Sequence, residues 1–156
     1  MVYSVVYEYK ANAEIEQSVE AFLFSDQIFE IGGFTLRPSF RYSNRPDSKP
    51  EFISIKGKPG FFSSSNLSDN VISSISSNGV ASQQRSGKEG NWLHLASFIF
   101  ESEPEDNISV KTDIISGDFF LSSGENISAT QDDEFIKTKL YNATGSIQIQ
   151  GNFTLG

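Results

Sequence analysis

The side chains of this chain best suited to chemistry are its carboxylates, 20 Asp and Glu in all, and many gather in three groups. Glu101, Glu103, Glu105 and Asp106 form the first. Asp113, Asp118 and Glu125 form the second, and Asp132, Asp133 and Glu134 the third. Calcium takes about six to eight oxygens, commonly from loop carboxylates and carbonyls. The groups fall at expected turns, so Glu103, Asp106, Asp118, Asp132 and Asp133 are the candidate calcium ligands. None follows the Asp-x-Asp-x-Asp-Gly loop spacing, and solvated acidic turns account for the same residues. A carboxylate pair about 5 to 10 Å apart would suit glycoside hydrolysis. No alternating Glu-x-Asp-x-Glu strand motif is present, and the chain is short for a polysaccharide hydrolase.

His94 is the single histidine. A serine triad or a histidine zinc site would have to be built on it. It sits between Leu93 and Leu95 on an apolar strand, with no Gly-x-Ser-x-Gly or His-Glu-x-x-His around it. A strand-face histidine with one hydrogen bond is the expectation. Cysteine is absent, which excludes disulfides, thiolate metal sites and cysteine nucleophiles.

Aromatic rings raise a sugar-binding reading, because carbohydrate modules stack sugars on exposed rings. Most rings here share a face with Val, Leu or Ile, as in a core. Tyr9, Tyr42 and Trp92 sit at strand ends beside polar segments. They are the candidate ligand contacts, together with Arg85 and Lys88 in the segment 76–91. The stretch from Arg37 to Lys49 is locally basic and fits a solvated edge, since charged side chains on edge strands block unwanted pairing.

These residues must be positioned by strands. Tyr3, Val5, Tyr7 and Tyr9 alternate with Ser4, Glu8 and Lys10, and Ile147, Ile149, Phe153 and Leu155 alternate with polar residues near the C-terminus. A period of two sends one set of side chains to a core and the other to water. Residues 11–18 suit a loop or one helical turn. The run from Val19 to Ile31 suits two strand segments broken near Ser25-Asp26. Gly32-Gly33 is expected to turn the chain, and Pro38 marks an edge or bulge in the next strand. Residues 43–50 form a polar loop. Residues 76–91 are expected to be strand-free, unless Asn78-Gly79 makes a tight hairpin. Trp92 to Phe100 should be a central strand with both faces apolar.

About ten strands separated by turn signals predict an all-β antiparallel sandwich, jelly-roll-like, with an open or barrel-like antiparallel sheet as the alternative. At 156 residues the chain is read as one domain, 1–156. Strands that begin almost at Met1 and end almost at Gly156 also admit a domain excised from a longer precursor. The net charge of −8 disfavours nucleic acid and anionic lipid as partners. No membrane span and no signal peptide are evident in the chain. The expected function is a non-catalytic module acting by binding or assembly, part of an exported or surface protein. Its partners would be a protein, a carbohydrate or a second copy. A calcium- or carbohydrate-binding module and a small carboxylate-dependent hydrolase are the alternatives. No cofactor other than calcium is implied. The loops at 43–50, 76–91 and 101–107 are the expected seats of function.

Overall fold

The structure is a computed structural model, and it describes residues 3–11, 16–42, 51–101, 107–113, 119–127, 136–139 and 150–155. The described residues form strands and no helix, so no helix among them could cross a membrane. The strands are β1 (Tyr3–Ala11), β2 (Glu16–Ser25), β3 (Glu30–Tyr42), β4 (Phe52–Gly57), β5 (Phe62–Asn66), β6 (Val71–Ala81) and β7 (Gln83–Arg85). They continue with β8 (Lys88–Glu101), β9 (Asn107–Asp113), β10 (Phe119–Leu121), β11 (Asn126–Ile127), β12 (Ile136–Lys139) and β13 (Gln150–Leu155).

They make two antiparallel sheets that do not close into a barrel, in a sandwich-like arrangement. The first runs β13-β1-β2-β8-β4, with β7 also paired to β8. The second runs β11-β10-β3-β6-β5, with β9 paired to β3 and β12 to β9. The inner faces meet in one core. The first sheet supplies Val5, Tyr7, Val19, Leu23, Leu95, Phe98 and Phe100, and the second supplies Ile31, Phe34, Leu36, Ile72 and Phe119. The alternation of β1 and the break near Ser25-Asp26 are as expected.

Gly32-Gly33 does not turn the chain, because both residues lie inside β3. Their missing side chains seat the ring of Phe120 instead: a Cβ on Gly33 would stand 2.4 Å from Phe120 Cζ. Pro38 lies past the last pair of β3 with β6, where β9 is its described neighbour. The missing N–H is tolerated there.

The segment 76–91 is not strand-free. β6 runs to Ala81, and β7 and β8 pair around Ser86-Gly87. Gly87 has φ +74, the left-handed conformation that glycine adopts at low cost. Asn78-Gly79 makes no hairpin. Between the pairs Gly33↔Ile75 and Ile31↔Val80, β6 holds more residues than β3, and Asn78-Gly79 sits in that bulge.

The strand from Trp92 to Phe100 is interior, between β2 and β4, as expected. Its faces differ from the simple alternation. Ala21 pairs with Ala96 but Phe22 pairs with His94, so Leu95 is an extra residue in β8. A bulge moves every later side chain to the opposite face. Leu93 and Leu95 therefore join Ala96, Phe98 and Phe100 in the core, and Trp92 leaves it for a second cluster with Val6 and Phe22.

Candidate functional site

The outer face of the first sheet carries three cross-strand rows. Ser4, Phe24 and Trp92 form one, Val6, Phe22 and His94 the next, and Glu8, Glu20 and Ser97 the third. The third row sets two carboxylates directly opposite each other, which destabilises a sheet unless the charges are met. Each carboxylate has its own partners.

Glu8, expected to face water, is only 3% exposed. Arg85 grips it in two-pronged fashion, Nη1 donating to Oε1 at 2.7 Å and Nη2 to Oε2 at 2.9 Å. Lys88 Nζ adds a third contact at 3.2 Å. The guanidinium lies 4.1 Å from the Phe22 ring centroid and 4.9 Å from that of Trp92. The β7–β8 hairpin thus folds a cation over apolar rings to reach a buried carboxylate. Such stacked, bidentate contacts need the flat guanidinium. Burial pushes the Glu8 carboxyl up, but the hydrogen bonds and charges of Arg85 and Lys88 outweigh it and hold the pKa below the ordinary value.

Glu20 is the hub of a second group. Ser97 Oγ donates to its Oε1 at 2.7 Å, His94 Nε2 lies 3.5 Å away and Lys58 Nζ 4.0 Å away. Burial again raises the carboxyl, and His94, Ser97 and Lys58 more than offset it, so its pKa is lowered. His94 is half-buried and stacks on Phe22 with centroids 4.4 Å apart, as a strand-face histidine would.

This geometry limits the chemistry. A serine–histidine–acid relay needs histidine between hydroxyl and carboxylate. Here the carboxylate stands between them. A glycosidase pair needs one carboxyl with a raised pKa to donate a proton. Both are lowered. Ser97→Ala removes a hydrogen bond to a charged group and is expected to cost about 1.5 kcal/mol at neutral pH, measured by urea denaturation.

Of the residues singled out from the sequence, Arg85, Lys88 and Trp92 come together. Trp92 is 7% exposed, packed edge-on against Phe22 and tilted against Phe24, so it offers no open ring for stacking. Tyr9 is on β1, paired with Val19, and Tyr42 is on β3, paired with Ile108, in the other sheet. Glu103, Asp106, Asp118, Asp132 and Asp133 lie outside the described residues, as do 43–50 and 102–106. No cluster of three metal-ligating side chains occurs among the described residues. Sequence reading missed Glu8, Glu20, Phe22, Lys58 and Ser97. The β1–β2 register carried a usable signal: folding residues 3–25 as one hairpin sets Glu8 against Glu20.

A second exposed feature lies in the other sheet. Phe120, Gly33, Ile75 and Phe62 follow one another across β10, β3, β6 and β5. Ile75 is 60% and Phe62 74% exposed, so this apolar row ends uncovered at the edge strand β5. Compared with protein-family models, with curated proteins and with solved structures, the chain has no significant match.

Proposed function

We propose that this chain is a non-catalytic, jelly-roll-like β-module that acts by binding or assembly, and that a second copy pairs with it along β5. One observation supports the reading above all. Among the described residues, β5 is an edge strand, and it lacks the devices that keep sheet edges from joining. Phe62–Asn66 holds no charge, no proline and no register shift, and every residue in it is exposed. Natural edges are commonly blunted by such devices. The exposed pair Phe62 and Ile75 stands beside this edge and gives apolar area to bury.

Antiparallel pairing about a two-fold axis at Ser64 sets that residue against its own copy and opposes no like charges. That matters in a chain of net charge −8. The capped carboxylates of the first sheet lend support from the other side, since neither is poised to donate a proton.

Sedimentation from roughly 1 μM to 1 mM tests the reading. Wild type is expected to dimerise with rising concentration. Ser64→Lys places two ammonium groups opposite each other at the axis, and is expected to weaken the dimer at least about tenfold with an unchanged melting midpoint. A wild type that stays monomeric over that range overturns the proposal.

A further inference from the structure

Asn78 is the single asparagine of the chain that precedes a glycine, and every other asparagine precedes a residue with a side chain. The pair lies in the β6 bulge, where residues 76–79 oppose Gly32 alone, between the pairs Gly33↔Ile75 and Ile31↔Val80. Surplus residues in a bulge are left out of the ladder that fixes a regular strand. Asn78 is exposed, so water reaches its amide.

The fold requires glycine at 79. Its φ is +81, and a Cβ there would stand 2.5 Å from Glu30 Oε1 and 2.7 Å from Ser122 Cβ. Glycine meets both demands at low cost. It also lacks the side chain that shields a backbone nitrogen from the residue before it. The packing of the bulge therefore sets an unshielded nitrogen directly after an exposed asparagine amide.

We propose that Asn78-Gly79 is a self-modification site, where the chain converts Asn78 to isoaspartate and aspartate with water as the only co-reactant. The Gly79 nitrogen attacks Asn78 Cγ. The N–Cγ bond forms, the Cγ–Nδ2 bond breaks, and the Gly79 N–H proton leaves with the amide nitrogen as ammonia. Water then opens the cyclic imide. Opening at the main-chain carbonyl routes the backbone through Cγ and gives isoaspartate, and opening at Cγ gives aspartate. Isoaspartate adds one carbon to the backbone. Within a paired strand an added atom would upset the register. Here it joins chain that is already in surplus, so the pairs on either side of the bulge stay in place. The new carboxylate lies one residue from the glycine that packs on Glu30, so the bulge gains negative charge. The reaction needs no second copy and holds or fails independently of self-association.

The test incubates the full chain, folded, at mildly alkaline pH and follows each asparagine by peptide mapping with mass spectrometry. Asn78 is expected to convert at least about tenfold faster than any other asparagine, and within about tenfold of its rate in the same chain unfolded in urea. Isoaspartate is expected as the main product. An Asn78 that stays intact in the folded chain while converting in urea overturns the proposal, because the bulge then holds the two groups apart. Asn78→Gln must close a larger ring and is expected to remove the product. In the aged wild type, labelled with nitrogen-15, amide shifts are expected to stay within the bulge. Shifts that spread to Ile31, Gly33 and Ile72 overturn the claim that the flanking pairs survive.

Discussion

Arg85→Met is expected to destabilise the fold by about 3 kcal/mol at neutral pH, because it leaves Glu8 buried with Lys88 as its remaining cation among the contacts described above. Removing one partner of a buried ion pair costs about 3 to 5 kcal/mol. Lys88, at 3.2 Å from Oε1, keeps the effect at the lower end. Methionine fills much of the arginine stem, so the loss reports charge and stacking more than volume. Arg85→Lys is expected to fall between the two, since an ammonium neither grips both oxygens nor lies flat on Phe22 and Trp92. The pair Glu8→Gln with Arg85→Met removes the uncompensated charge and is expected to recover part of the loss. Urea denaturation at pH 7 measures all of these, and a cost under about 1 kcal/mol for Arg85→Met would contradict a pinned hairpin.

The pH dependence has a fixed sign. The folded-state pKa of Glu8 is below its ordinary value of 4.5. Its contribution is therefore complete above about pH 4.5 and is lost as pH falls through the lowered folded value. Wild type is expected to lose stability in that acid window. Arg85→Met is expected to lose less, because most of the depression goes with the guanidinium. Glu20 loses its own contribution in both proteins, so the difference between the two curves isolates Glu8.

The fold class was legible because alternation is a local property. Tyr3, Val5 and Tyr7 face the core, and the strand containing Phe98 and Phe100 is interior. What the sequence hid is what depends on a partner strand. A bulge changes phase without changing composition, so nothing in Trp92 to Phe100 announces that Leu95 is the extra residue. Glu8 looked solvent-facing because Arg85 and Lys88 lie far away in the chain and reach it only through the β7–β8 hairpin. The segment 76–91 reads as strand-free, with a hairpin at Asn78-Gly79 as the alternative, yet it is mostly strand and turns at Ser86-Gly87. Both contain a glycine with positive φ, and only pairing with β3 or β8 tells a bulge from a hairpin. The candidate site suffered most, since each of its carboxylates is joined to residues from distant strands.

Gly33→Ala carries the other large expected effect, and the sign of that effect decides how Gly32-Gly33 is understood. An alanine in a strand interior ordinarily gains about 0.5 to 1 kcal/mol over glycine. Here its Cβ would stand 2.4 Å from Phe120 Cζ and 2.8 Å from the backbone oxygen of Ser74. The ring can swing away. The oxygen belongs to β6, which is paired with β3 at that point, so it moves only if the strands part. A net loss of about 2 to 3 kcal/mol is expected. Phe120→Ala relieves the ring and not the oxygen, so the double variant is expected to show a coupling of about 1 kcal/mol with a residual cost. A stabilised Gly33→Ala would mean that Phe120 is not seated on the glycines. The same row of the ladder continues through Ile75 to Phe62, so parting β3 from β6 disturbs the edge strand as well. Gly33→Ala is therefore expected to lower both the melting midpoint and the dimer affinity, whereas Ser64→Lys lowers the affinity alone.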